Sequence, residues 1–151
     1  MSLAALASIL HRCLPHVSER TRIIIDAAIL NRGRIGTARH VAVHLGLPSR
    51  FALARLLKRD GLPPLKDLAA WVSVLVWVDS ANCGGRSLCQ LAFRARKDPG
   101  FCYRTVRRIT GHTWGEIRLR GLAWVLKLFL AHCFRQAGPE VRRGQNPYVQ
   151  L

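Results

Sequence analysis

The sequence predicts an all-α fold in which two helix-turn-helix units are joined by a central connecting helix. Three observations lead there. Apolar residues recur at three-to-four spacing between capping residues and glycine stops. Two separated segments repeat one basic pattern. Between them lies WVSVLVWV at 71–78, an apolar run far shorter than the roughly 20 residues a membrane span needs. Strict alternation fails there because residues 74–78 are all apolar, although β-branched content leaves a buried strand as the alternative.

A chain of 151 residues is long enough to bury a core and reads as one domain with short arms. It divides into an N-terminal helical arm at 1–16, a main unit at 17–136 and a flexible tail at 137–151. Lys and Arg number 24 against 8 Asp and Glu, a net charge of +16 that points to a polyanionic partner, nucleic acid ahead of an anionic membrane surface. The 50% hydrophobic content excludes global disorder. MSLAALASILHRCLP has no positive residue before its apolar segment and no convincing small-x-small cleavage site, so it reads as a short amphipathic helix or frayed arm. A cytoplasmic, nucleoid-associated location is the expectation. Five cysteines at irregular spacing, with no C-x-x-C pair, read as small apolar residues of a reduced core.

Pro15 separates the arm from a helix over about 19–31, with Ser18 as its cap, Glu19 in its first turn and Gly33 as its stop. The first helix-turn-helix covers about 36–61. Thr37 caps a helix facing inward through Val41, Ala42 and Leu45, and Gly46 ends it. Ser49 then caps a second helix that buries Phe51 or Leu53, then Leu56 and Leu57, with Arg50, Arg55, Lys58 and Arg59 outside. The connecting helix covers about 64–80, with prolines in its first turn and ANCGG as its stop. Leu68, Trp71 or Val72, Leu75 and Val78 form one stripe, and Val74 with Trp77 a second. That second stripe has two candidate covers, the N-terminal arm or a docked protein such as RNA polymerase.

The second unit covers about 87–111. Ser87 caps a helix with Leu88, Leu91, Ala92 and Ala95 facing in, and Asp98 caps the next with Pro99 at its first position. SRFALARLLKRDGLPP and DPGFCYRTVRRITGHTW share a cap, an aromatic, an arginine, two apolar positions, a basic pair and a glycine, so the chain holds a diverged duplication. A last, long apolar helix is expected from about Trp114 to Phe134.

This arrangement resembles the DNA-binding domain of the AraC/XylS transcription regulators. The first unit carries the resemblance in Val41-Ala42, Leu45-Gly46, Ser49, Leu53, Arg55, Lys58-Arg59 and Gly61-Leu62-Pro63-Pro64. The second carries it in Leu91-Ala92, Arg104, Arg107-Arg108 and Gly111-His112-Thr113 leading to Arg118. It implies homeodomain-like three-helix units and two recognition helices reading adjacent major grooves of double-stranded DNA. Three departures stand out. Arg96-Lys97 occupies a turn that usually carries glycine and phenylalanine, and the connecting helix lacks the usual arginine and is more apolar. The chain also has no room for the ligand-sensing domain of many members, so it reads as a stand-alone member.

The first recognition helix offers Arg50, Phe51, Ala54 and Arg55 on its exposed N-terminal half as base readers, with Arg55 and Phe51 the ones the resemblance implies, and Gly100, Tyr103 and Arg104 occupy the comparable face of the second. Arg55 can fork onto guanine O6 and N7, while Phe51 or Ala54 touches a thymine methyl. Burial between helices is the competing role for Phe51, and a phosphate contact for Tyr103. Lys58, Arg59, Arg96, Lys97, Arg107 and Arg108 are the candidate phosphate contacts, or else face solvent. Thr37 and Ser87 join them through the amide ends of the helices they cap. From Arg86 to Arg120 the local charge is +7. The sequence shows no Gly-rich phosphate loop and no carboxylate motif, and neither catalysis nor a cofactor is expected. His40 and His44 share a helix as a potential metal pair with no further ligands, and no metal site is expected. The rival to a DNA-binding regulator is a basic helical RNA-binding or protein-interaction module on the same fold.

Overall fold

In the computed structural model, which describes residues 1–136, every regular element is a helix. Nine are found among the described residues: α1 (Leu3–Cys13), α2 (Glu19–Leu30), α3 (Ala38–His44), α4 (Arg50–Arg59), α5 (Leu65–Gly84), α6 (Leu88–Arg94), α7 (Pro99–Thr110), α8 (Trp114–Arg120) and α9 (Leu122–Gln136). The tail at 137–151, expected to be flexible, lies outside the described residues.

Local chemistry sets most of the boundaries. Ser2, Ser18, Thr37, Ser49, Ser87, Asp98 and Thr113 each sit in extended backbone and accept a hydrogen bond from an amide in the first turn of the following helix. At Ser87 and Thr113 the bond is reciprocated by Gln90 and Glu116, completing capping boxes.

The centre of the fold is α5. Residues 71–78 are all buried, Val74, Leu75 and Val78 completely. The run is therefore helix, not strand, and both of its stripes are covered. Helices α2, α6, α7, α8 and α9 pack around it, with Trp71 5.4 Å from the Phe129 ring of α9. The N-terminal arm is the well-formed helix α1, which packs on α2 and buries Leu6, Leu10 and Cys13. Val74 and Trp77 of the second stripe are buried within the chain itself, so little of that stripe is open to a docked protein such as RNA polymerase. Although α5 was expected to stop near residue 80, it continues to Gly84. Nothing in Ala81-Asn82-Cys83 breaks a helix, and the left-handed turn comes at Gly85, with φ 62°. Among the described residues no helix is long and apolar enough to cross a membrane.

One further expectation changes, and one open alternative is resolved. The single helix predicted from Trp114 to Phe134 is two, because Gly121 adopts φ 88° and ψ 175°, a region open only to glycine. Of the two alternatives in α4, Leu53 is buried, together with Leu56 and Leu57, whereas Phe51 is 60% exposed.

Two tight contacts tie the N-terminal half together. The buried Asp60 carboxylate, at the end of α4, accepts from the Ser18 amide at 3.0 Å, the Ser18 hydroxyl at 2.9 Å and the Thr21 hydroxyl at 2.6 Å. It places negative charge at the amide end of α2. Beyond the other end of α2, Gly33 lies against Ser73, the one polar residue in the apolar run. A methyl added at Gly33 would stand 1.8 Å from Ser73 Oγ and 2.8 Å from the Ala69 carbonyl oxygen.

Gly33 also has φ 87°, so Gly33→Ala combines left-handed strain with overpacking and is expected to cost about 3–5 kcal/mol of stability. Gly46→Ala, with φ 68° but nothing within 4 Å, is expected to cost only about 1–2 kcal/mol. Urea denaturation of both variants measures the difference. Equal losses would show that close approach to α5 contributes nothing.

Candidate nucleic-acid interface

Helices α3–α4 and α6–α7 form two pairs built alike. Thr37 and Ser87 cap the first helices, the buried Ala42 and Ala92 sit where the paired helices cross, and Gly46 and Arg96 open the turns, all at one constant offset. The hydrogen bonds match as well. Gly46 N donates to Val43 O at 3.1 Å and Leu47 N to Ala42 O at 2.9 Å; Arg96 N donates to Phe93 O at 3.1 Å and Lys97 N to Ala92 O at 2.9 Å. Arg96 therefore adopts the left-handed φ that Gly46 adopts, 54° against 68°. A glycine-type turn forms without glycine.

In the second helices the correspondence continues at an offset one residue shorter. Leu53 and Cys102, then Leu57 and Val106, are buried against the partner helix. Arg55 and Arg104, Lys58 and Arg107, and Arg59 and Arg108 point outward. These positions follow from caps and apolar spacing, which fix the rotation of each helix about its axis.

The residues expected to read bases divide into two groups. In α4, Arg50, Phe51, Ala54 and Arg55 are all exposed, and the Arg50 guanidinium stands 5.0 Å from the Phe51 ring centroid. The burial alternative for Phe51 is excluded by its exposure. In α7, Tyr103 and Arg104 are exposed and Gly100 is half-buried. Arg104 lies 3.6 Å from the Asp98 carboxylate, an exposed pair that holds it weakly. A side chain at Gly100 would meet Arg104 Nη1 at 2.9 Å, so the glycine leaves that guanidinium room. Tyr103 Oη is 3.9 Å from Cys89 Sγ, and partial burial with this thiol raises the phenol above its ordinary pKa.

The expected phosphate contacts are less uniform. Lys58, Arg59, Arg96 and Arg107 project into solvent. Arg108 is already engaged, donating to Asp67 of α5 at 2.8 Å, and Lys97 is half-buried between the Trp77 and Phe101 rings, 5.9 and 5.8 Å from their centroids. Thr37 is exposed at the start of α3. At Ser87 the capping box already uses both the hydroxyl and the backbone amide, the latter donating to Gln90 Oε1 at 2.9 Å.

Sequence reasoning passed over Arg32 and Arg34, and counted Arg86 and Arg94 only in the local charge of +7. They lie in loops or at helix ends, where no periodicity marks a face, and only the tertiary fold brings them to α5. Arg34 Nη2 donates to the Ala95 carbonyl at 2.6 Å, tying the α2–α3 loop to the end of α6. His40 and His44 face each other with Nε2 atoms 3.0 Å apart, and among the described residues no group of three or more ligand types gathers around a metal position.

No family model, curated protein or solved structure matches the chain.

The strained turn makes a measurable prediction. Arg96→Gly removes about 1–2 kcal/mol of left-handed strain and adds about 0.5–1 kcal/mol of unfolded-chain entropy, a net stabilisation of about 0.5–1 kcal/mol. A thermal melt is expected to move up by about 1–4 °C. A lower midpoint would show that the Arg96 side chain contributes more than its backbone conformation costs.

Proposed function

We propose that the chain is a sequence-specific, double-stranded-DNA-binding transcriptional regulator of the AraC/XylS type, with α3–α4 and α6–α7 acting as its two helix-turn-helix units. The observation that carries this reading is the repetition of one structural unit. Two capped helices with matched turns each present a basic helix whose outward arginine, Arg55 or Arg104, stands in the same place. Plain helix packing gives no reason for the duplicated outward charge, whereas recognition of two DNA half-sites requires it.

Phosphate contacts supply affinity and base contacts supply sequence. Arg55 and Arg104 have the reach for bidentate bonds to guanine, while Phe51 and Ala54 offer apolar contact to a thymine methyl. Lys58, Arg59 and Arg107, late in their helices, suit the phosphate backbone. Adjacent major grooves on one face of the duplex are about 34 Å apart. A 20-residue helix such as α5 spans about 30 Å, so a rigid buried spacer supports simultaneous docking without the ordering cost of a flexible linker.

Affinity selection from random duplex DNA tests the reading. The expected result is an enriched motif of two half-sites about 10 base pairs apart. Arg55→Ala should cost about 1–3 kcal/mol on the selected site and much less on random duplex, whereas Lys58→Ala weakens both alike. With about six phosphates contacted, the log–log salt slope should lie near −5. Absence of an enriched motif together with tight binding of structured RNA would replace this reading with that of a basic RNA-binding module.

A further inference from the structure

On one flank of α5, the α2–α3 loop and the turn between α6 and α7 enclose a cleft of about 410 Å3. Five cations line it, Arg32, Arg34, Arg86, Arg94 and Lys97, and no carboxylate does among the described residues. Val76, Trp77 and Leu91 form an apolar wall. Arg32 and Arg34 come from one part of the sequence and Arg86, Arg94 and Lys97 from another, so the fold brings the two groups together. Like charges lining one cleft repel one another, which opposes folding.

The cluster is partly pre-arranged. Arg34 is held by its bond to the Ala95 carbonyl at 2.6 Å, and Lys97 by the Trp77 and Phe101 rings. Arg32, Arg86 and Arg94 make no ion pair among the described residues, which leaves their guanidinium forks available for an oxyanion.

We propose that this cleft binds a nucleotide, its phosphoryl oxygens taken by the arginines and its organic part set against the Val76–Trp77–Leu91 wall, at a site separate from the outward faces of α4 and α7. Planar guanidinium groups match phosphate oxygens bidentately, and the volume falls within the range of about 300–1,000 Å3 usual for small-molecule sites. The nucleotide reaches the site either as a free molecule or as part of a duplex backbone; both present the same phosphoryl chemistry. Because one wall comes from the α2–α3 loop and the other from α6 and its turn, an occupant bridges the two halves of the chain. The site stands on the cleft itself and does not depend on base reading by α4 or α7.

The test uses the full chain, the variant Arg86→Gln/Arg94→Gln, and two controls. Arg12→Gln/Arg20→Gln removes equal charge from exposed positions on α1 and α2, and Arg55→Ala/Arg104→Ala alters the basic helices. Thermal melts establish that each variant folds. ATP is titrated by calorimetry, and a labelled random-sequence duplex by fluorescence anisotropy across a salt series. Saturable one-site ATP binding that falls at least tenfold in the cleft variant alone identifies a free nucleotide. Without ATP binding, a duplex affinity that falls in the cleft variant beyond the charge-matched control, with the salt slope reduced by about 2, identifies a duplex backbone. The proposal is overturned if the cleft variant behaves like Arg12→Gln/Arg20→Gln in both titrations, or if ATP binding is lost equally in Arg55→Ala/Arg104→Ala. Loss of sequence selectivity in Arg55→Ala is a separate readout, so failure of the cleft and failure of the regulator reading remain distinguishable.

Discussion

The fold is organised by the need to bury α5 around its whole circumference. An ordinary amphipathic helix hides one face and leaves the other in water. With residues 71–78 all apolar except Ser73, α5 has no such outer face in its middle turns, and water against any side would be unfavourable. Helices α2, α6, α7, α8 and α9 therefore pack around it. Ser73 marks the point where a loop, not a helix, passes over α5. There the loop comes so close that only glycine fits, and the Ser73 hydroxyl donates to the Arg32 carbonyl at 3.4 Å.

This constraint explains why the halves are joined more firmly than a spacer requires. The Arg108–Asp67 pair ties α7 to α5, and Arg34 reaches from the α2–α3 loop to the end of α6. Neither bond is strong on an exposed surface. They act as guides laid over a core that already fixes the geometry. Asp60 works differently, because its burial makes the three hydrogen bonds it accepts expensive to lose.

What the sequence revealed follows the range of the forces involved. Ser18, Thr37, Ser49, Ser87 and Asp98 were readable as caps because a cap involves residues two or three apart. The stops at Gly33 and Gly46 were readable for the same reason, and helical periodicity marked Leu56 and Leu57 of α4 as buried. Gly121 stood in plain view yet was absorbed into an apolar pattern that continues on both sides of it. Its break is visible only in the backbone conformation that lets α8 and α9 both pack on α5. Phe51 was ambiguous because hydrophobicity alone does not tell a core aromatic from an exposed one. In the second unit, Arg96 hid a turn equivalent to that of Gly46, since the sequence shows a departure where the backbone repeats. The outward positions of Arg55 and Arg104 were legible from helix phase, but the occupation of Arg108 by Asp67 and the gathering of Arg32, Arg86 and Arg94 depend on tertiary placement.

The placement of the acids connects fold to charge. Of the eight, Asp98 and Glu116 bond helix-start amides, Asp60 joins α2 to α4, Asp67 joins α5 to α7, and Asp26 holds His11 at 2.6 Å. Asp79 pairs with the amino group of Met1 at 3.3 Å, and Glu19 sits in the first turn of α2, where a helix dipole favours it. Glu140 lies outside the described residues. Negative charge is thus placed at helix starts and at junctions between elements, which leaves most of the cations among the described residues without an internal counter-charge. Such a distribution costs stability through self-repulsion, and the apolar packing around α5 offsets it. A polyanion arriving at that surface relieves repulsion as well as making contacts. Among the described residues Arg50, Arg55 and Lys58 on α4, Arg107 on α7 and Arg32, Arg86 and Arg94 in the cleft have no carboxylate partner, and these are the cations whose repulsion a bound polyanion would relieve.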